Sequence, residues 1–211
     1  ILFLKSKNPR ILLANIALKI YKKKPRNLVA VTGTNGKSSI ADFYIQIMNF
    51  NKINSASIGT LGVKSKKLNI KTNNTTLDIV STNKILEILK NNKIDNVVLE
   101  ASSHGLHQFR LHGLKFDIGI FTNLTRDHLD YHKTYKNYFD SKTLLFRKYM
   151  NKKGTIIYEN NFKYSNKLNL IKSKKKLKSL VIGKNNDLNI TDHKYSMNSQ
   201  EVSFKFRNKN Y

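Results

Sequence analysis

Cysteine is absent from all 211 residues, which removes disulfides, thiolate metal sites and cysteine nucleophiles from consideration. That absence fits a reducing compartment. Long apolar runs are missing too. No stretch approaches the roughly 20 consecutive apolar residues that cross a bilayer, and Ile1–Leu4 is too short for the apolar part of a signal peptide. Membrane insertion is not expected.

Acidic residues are scarce: 13 Asp and Glu stand against 39 Lys and Arg, a net charge of +26. Such an excess suits an anionic partner such as nucleic acid or an acidic membrane. Against this, the excess is mostly Lys and travels with abundant Asn and Ile along the whole chain. The densest runs, Lys22–Lys24, Lys64–Lys67 and Lys172–Lys178, lack the interleaved aromatics that stack on bases. Compositional drift is the favoured reading. No nucleic-acid partner is expected, and attraction of an acidic nucleotide is a side benefit.

The length suffices for one sizeable core and part of a neighbouring domain. The chain starts at Ile1 and stops just after a strand-like run, Val202–Phe206, so a fragment is expected. Residues 1–25 read as a basic, partly helical segment with Ile11, Leu12, Ile16, Leu18 and Ile20 as an imperfect apolar face, closed by Pro25. Leu28–Val31 is a short apolar run, followed by a glycine-containing loop at Thr32–Lys37. A helical pattern then places Ile40, Phe43, Tyr44, Ile47 and Met48 on one face. This is strand, phosphate-type loop, helix. Further strands are expected at Ala56–Ile58, Val97–Leu99, Ile118–Thr122, Gly154–Tyr158 and Leu180–Ile182, and helices at Thr82–Lys90 and Tyr135–Tyr149. Asn166–Lys178 is either a solvated helix or a loop. From about Asp187 strand follows strand, as in an antiparallel edge. The fold class is α/β, a mostly parallel sheet with helices on both faces.

Ligands of such sheets gather at the carboxyl ends of strands. Three polar stretches fall there. The first is Gly33-Thr34-Asn35-Gly36-Lys37-Ser38, followed by Ser39. Its glycines let backbone N–H groups approach phosphate oxygens, and the following helix start favours negative charge. Lys37 would reach the β and γ phosphates of ATP, and the Ser38 hydroxyl would ligate Mg²⁺. Two residues separate the glycines, where the common pattern has four. The second stretch is Glu100-Ala101-Ser102-Ser103-His104-Gly105. Glu100 either holds a metal that neutralises a transferring phosphoryl group or is a surface carboxylate at a strand end. The third, Phe121–His132, packs Arg126, Asp127, His128, Asp130 and His132 into seven residues. Metal or phosphate contact and an N-cap and turn role for the two aspartates are equal readings.

Together these stretches resemble the Mur ligase family, through the shortened phosphate loop, Ser102-Ser103-His104-Gly105-Leu106, Gln108, Arg110, Phe121-Thr122-Asn123-Leu124 and Asp127-His128-Leu129-Asp130-Tyr131-His132. Within it, the pattern is closest to the MurE-type branch, and it runs from about Asn8 to Phe146. The resemblance implies a P-loop central ATP-binding domain. It implies an ATP-dependent ligase that adds a diamino acid, meso-diaminopimelate before L-lysine, to UDP-N-acetylmuramoyl-L-alanyl-D-glutamate through an acyl phosphate, in cytoplasmic synthesis of peptidoglycan precursors. ATP and Mg²⁺ follow, and a monomer is expected. Gly33 to Ser39 would hold ATP, with Lys37, Lys142 and His128 catalytic. Ser38, Glu100, His128 and Lys142, the last as a carbamate, would hold Mg²⁺. Thr75, Thr76, Ser102, Gln108 and Arg110 would bind the muramoyl-dipeptide, Arg110 through its planar fork. Without the resemblance, Lys142 reads as an ordinary solvated helix residue.

Ser38-Ser39 replaces the family's usual Thr pair, and Leu77 stands where a proline often follows the threonines. Residues 1–25 would be the tail of an N-terminal domain that grips the uridine diphosphate. Residues 26–211 would be the central domain, incomplete at its end, with the C-terminal domain absent. The rival readings are another Mur ligase, a folylpolyglutamate synthase, a basic nucleic-acid-binding P-loop module, or a nonproductive remnant of a truncated gene.

Overall fold

The computed structural model describes residues 5–207 and 209–211. Asn8 caps the first helix, α1 (Pro9–Ile20), by accepting from the Ile11 amide, and Pro9 supplies a preset backbone angle at the first turn. Strand β1 (Asn27–Thr32) leads through the glycine loop into α2 (Lys37–Phe50). A hairpin-like excursion follows: β2 (Ser55–Gly59), β3 (Gly62–Ser65) and β4 (Asn69–Ile70). Asp78 then caps α3 (Ile79–Asn91) by accepting two first-turn amides. After it come β5 (Asn96–Glu100), the short α4 (Ser103–His107), β6 (Phe116–Phe121), the single-turn α5 (Leu129–His132) and α6 (Tyr135–Lys148). The chain closes with β7 (Met150–Glu159), α7 (Ser165–Lys175), β8 (Lys178–Ile182), β9 (Leu188–Tyr195), β10 (Gln200–Phe206) and β11 (Lys209–Asn210).

The strands form one sheet in the order β11-β10-β9-β8-β7-β6-β1-β5-β2-β3-β4. Strands β2, β5, β1, β6, β7, β8 and β9 run parallel, and antiparallel strands sit at both ends. The main core lies on one face, where α3, α4, α6 and α7 bury residues such as Leu86, Leu106, Phe139, Phe146 and Leu168 against Leu99, Phe121 and Ile156. On the other face, α2 lays Ala41, Ile40 and Tyr44 on Val29, Val31 and Val98. The expected mixed architecture is present. Central β1 has β5 on one side and β6 on the other, so strand order reverses at the carboxyl end of β1, which is where such sheets open a crevice.

Several local expectations need correction. Helix α1 ends at Ile20, before Pro25, with the Tyr21 amide bonding to Ala17 O. It buries Ala14 and Ala17 and leaves Ile20 63% exposed, because close packing on a neighbouring helix favours small side chains. Helix α2 buries Ala41 and Ile45, while Phe43 and Ile47 face solvent. The strand expected at Gly154–Tyr158 starts at Met150, whereas the helical one of the two readings of Asn166–Lys178 holds, over Ser165–Lys175. Strands β3 and β4 and helices α4 and α5 had no sequence counterpart; each is too short to display a hydrophobic period.

Candidate active site

The glycine loop is built for anion contact. Gly36 adopts φ +81°, a left-handed conformation that glycine takes without steric cost, and no side chain caps the start of α2. A Cβ at Gly36 would meet nothing within 4 Å, so the space over the helix start is open. The loop is stapled from behind by the segment after β6. The Thr34 amide donates to Asn123 O at 3.0 Å and the Asn35 amide to Asn123 Oδ1 at 2.9 Å. The Thr122 hydroxyl donates to Asn35 O at 2.6 Å. The Thr34 hydroxyl accepts from the Thr125 amide and lies 3.1 Å from the Tyr138 hydroxyl. Gly33 sits so close to this staple that a Cβ would fall 1.8 Å from Thr122 Oγ1. With the amides of Thr34 and Asn35 engaged, those at the start of α2 remain to face a phosphate. Ser39 is exposed on the outer side of the helix.

Lys37 folds back over the loop and donates to Gly33 O at 3.1 Å and Thr34 O at 2.7 Å. Burial lowers its pKa, opposed by attraction to Glu100 and Asp127. Its ammonium thus stands between the second and third polar stretches.

Glu100 ends β5 and is 3% exposed, which removes its reading as a surface carboxylate. Oε2 accepts from the Ser38 hydroxyl at 3.0 Å and the Thr60 hydroxyl at 3.1 Å, and Oε1 from the Thr60 amide at 3.0 Å. A buried charge is tolerated when its lone pairs are met in this way.

The residues expected to bind the muramoyl-dipeptide lie next to Glu100. The Thr76 hydroxyl donates to Glu100 O at 2.8 Å, accepts from the Ser102 amide at 2.9 Å and lies 3.0 Å from the Ser102 hydroxyl. Ser102 caps α4 by accepting from the Gly105 amide. Thr75 lies beside Thr60 at 3.0 Å between hydroxyls. Arg110 gives Nε and Nη2 to Gln108 Oε1 and Nη1 to Thr76 O. Three of its five donors are thereby used, which leaves one N–H on each terminal nitrogen. Thr76, Ser102, Gln108 and Arg110 are therefore one connected group, which Thr75 joins only by way of Thr60 and Glu100.

Lys142, on α6, is 1% exposed rather than solvated. Its Nζ donates to Gly33 O at 2.6 Å, the carbonyl that also receives Lys37, and sits 4.4 Å from the centre of the Tyr138 ring. Burial, with repulsion from Lys37, lowers its pKa to about 7. His128 has φ +51° and lies 3.4 Å from Asp127 Oδ2. Its ring packs against His104 at 4.8 Å and Tyr138 at 6.1 Å. Glu100 is not among its hydrogen-bond or ring partners. Behind it, His132 is buried, with Nδ1 3.2 Å from the Ser141 hydroxyl. Burial and the neighbouring histidines hold it down to about 4, so it is neutral at physiological pH.

Residues 31–211 match the family described as the Mur ligase middle domain. The chain belongs to the Mur ligase family. A relative from Rickettsia bellii, named UDP-N-acetylmuramoyl-L-alanyl-D-glutamate–2,6-diaminopimelate ligase, is 40% identical over 195 residues, covering 90% of this chain and 41% of the relative. A solved structure of the same name aligns with TM-score 0.85 at 25% identity, over 99% of this chain and 44% of that one. Folylpolyglutamate synthetase from Lactobacillus casei aligns at TM-score 0.71 and 13% identity, over 99% of this chain and 56% of that one; that likeness concerns the fold alone. The chain thus spans about two fifths of the length of the curated relative it matches.

For a Mur ligase the donor set suits Mg²⁺ at one point. Ser38 and Glu100 present oxygens 3.0 Å apart, and Mg²⁺ takes one or two carboxylates, keeps several waters and completes its shell with phosphate oxygens. Among the described residues, no three His, Cys, Asp or Glu side chains form a metal cage. No described helix is long and apolar enough to cross a membrane. Sequence reasoning missed Thr60 and Tyr138, and named Asn123 only as part of a motif, without its bond to the phosphate loop. Thr60 was within reach of the rule that ligand contacts gather at strand carboxyl ends. Tyr138 carried no local signal.

Proposed function

We propose that this chain is the ATP-binding part of a MurE-type ligase. The longer protein would join a diamino acid, diaminopimelate by the naming of its relatives, to UDP-N-acetylmuramoyl-L-alanyl-D-glutamate in peptidoglycan precursor synthesis. The observation that carries this reading is the Ser38–Glu100 pair, which sets the phosphate loop beside the Thr76–Ser102–Arg110 group across one strand edge.

In the proposed reaction the γ-carboxylate of D-glutamate attacks the γ-phosphorus of ATP. ADP leaves and an acyl phosphate forms. The amine of the incoming amino acid then attacks the acyl carbon, expels phosphate and loses a proton. Both first reactants are anionic, so positive charge must converge on them. Lys37 needs only to leave its two loop carbonyls to reach the terminal phosphates. The open amides at the start of α2 hold the rest of the chain of phosphates, and the two free N–H groups of Arg110 suit a carboxylate of the acceptor. Magnesium, when bound at Ser38 and Glu100, screens the remaining charge.

Lys142 is suited to the carbamate that the family resemblance implies. With its pKa near 7, a large fraction of the amine is neutral at physiological pH. The lone pair of that neutral amine can add to carbon dioxide with loss of one proton, which turns an uncharged group beside Lys37 into an anion. The carbamate and a second Mg²⁺ at His128 belong to this proposal.

The test is ATP-dependent amide formation by the longer polypeptide that carries these residues, supplied with the muramoyl-dipeptide nucleotide and diaminopimelate. Lys37→Ala should lower turnover by about a hundredfold to a thousandfold, the loss typical of removing a group that stabilises transition-state charge. Wild-type turnover by that variant, or ATP hydrolysis stimulated by DNA or RNA in place of the acceptor, would refute the reading.

A further inference from the structure

Thr60, at the carboxyl end of β2, has no place in the reaction described above. It follows Gly59, where a Cβ would lie 2.1 Å from Glu100 Oε1; only glycine lets the carboxylate come this close. Thr60 then holds both carboxylate oxygens, Oε1 through its amide at 3.0 Å and Oε2 through its hydroxyl at 3.1 Å. Its hydroxyl oxygen also lies 3.0 Å from that of Thr75. A threonine hydroxyl has one proton and two lone pairs. With that proton given to Glu100, Thr75 is the donor in the second contact. The result is an unbroken chain, Thr75 to Thr60 to Glu100 to Ser38, that runs from the acceptor side of the crevice to the phosphate loop.

We propose that Thr60 is a positioning residue that keeps Oε2 of Glu100 aimed at Ser38 and couples this carboxylate to Thr75. The proposal rests on the reading of Ser38 and Glu100 as the magnesium site. A glutamate carboxylate turns freely about its last torsion unless both oxygens are tethered. The amide of Thr60 tethers one. The other depends on two hydroxyls, and the Ser38 hydroxyl is itself required by the metal. Without the Thr60 hydroxyl, Oε2 keeps no partner that is independent of the metal, so ordering of Glu100 must then be supplied by the ion that it is meant to receive.

The experiment is calorimetric titration of a non-hydrolysable ATP analogue into the 211-residue protein, with and without Mg²⁺, for wild type, Thr60→Val and Thr60→Ser. The melting temperature of each is recorded alongside. The ratio of the two affinities isolates the metal, whereas general loosening weakens both titrations together. Mg²⁺ should tighten binding to the wild type. The tightening should fall about tenfold in T60V, which corresponds to about 1.4 kcal/mol, and return in T60S. If T60V is poorly folded, Thr60→Ala takes its place. A valine variant with the wild-type ratio overturns the proposal, as does a serine variant that behaves like valine. A wild type indifferent to Mg²⁺ removes the metal reading of Ser38 and Glu100, and the role of Thr60 with it, which is a different result from a variant that matches a responsive wild type.

Discussion

Lys142 shows how far one residue's surroundings can reverse its apparent character. Its folded pKa of about 7 lies below the ordinary lysine value of 10.5, because burial and Lys37 disfavour the charge. Below pH 7 both folded and unfolded states carry the proton, and the cost of burying an ammonium is present in full. Between about 7 and 10.5 the unfolded chain binds more protons, so stability rises with pH over that window. Lys142→Met keeps the volume and removes the charge. It should stabilise the protein by about 3 kcal/mol at pH 6, allowing for one lost hydrogen bond, and destabilise it by about 1 kcal/mol at pH 10.5, where little more than that lost bond remains. Melting curves of both proteins across this range check it; a constant difference would mean that the amine is not desolvated.

At the scale of elements, the phosphate loop draws its shape from a different part of the chain. Its own residues supply flexibility through Gly33 and Gly36, while Thr122, Asn123 and Thr125 supply the rigidity. This staple allows a loop with only two residues between its glycines to hold a fixed course. Asn123→Ala removes the side-chain acceptor of the Asn35 amide and leaves the backbone contact to Thr34. Binding of an ATP analogue should weaken by about tenfold, from loss of pre-organisation, with stability reduced by about 1–2 kcal/mol. Calorimetric binding and thermal melting read the two effects separately. Unchanged affinity would show that the loop keeps its conformation unaided. The same staple leads through Thr125 towards His128, so the segment that bonds to the loop reaches that histidine within seven residues of continuous chain, Thr122–His128.

For the whole molecule, charge is the dominant feature. Among the described residues, Lys and Arg contacts to carboxylates occur only at Asp95, with Arg26 and Lys90, and at Asp192, with Lys194. Most of the 39 basic side chains therefore repel one another through solvent. Such repulsion is screened over about 10 Å at 0.1 M salt and works against the compact state. Raising sodium chloride from about 0.05 to about 0.5 M should lift the melting temperature by several degrees. A flat response would mean that the lysines are spaced widely enough not to interact.

The alternation of strands and helices, the phosphate loop and the three polar stretches were legible in the sequence because each depends on local order: a hydrophobic period, a glycine spacing, a cluster within a dozen residues. Their assembly on one sheet edge followed from the parallel architecture. What remained hidden depended on which strands become neighbours. Glu100 meets Ser38 from 62 residues away and Thr60 from 40, and Asn123 meets the phosphate loop across 88. No periodicity encodes such pairs. The burial of Lys142 against Gly33, 109 residues distant, was likewise decided by the packing of α6 over the end of β1. Sequence alone determined the chemistry available to this protein. The tertiary structure decided which groups share a proton or a carbonyl, because hydrogen bonds act over about 3 Å and only the folded chain brings distant residues that close.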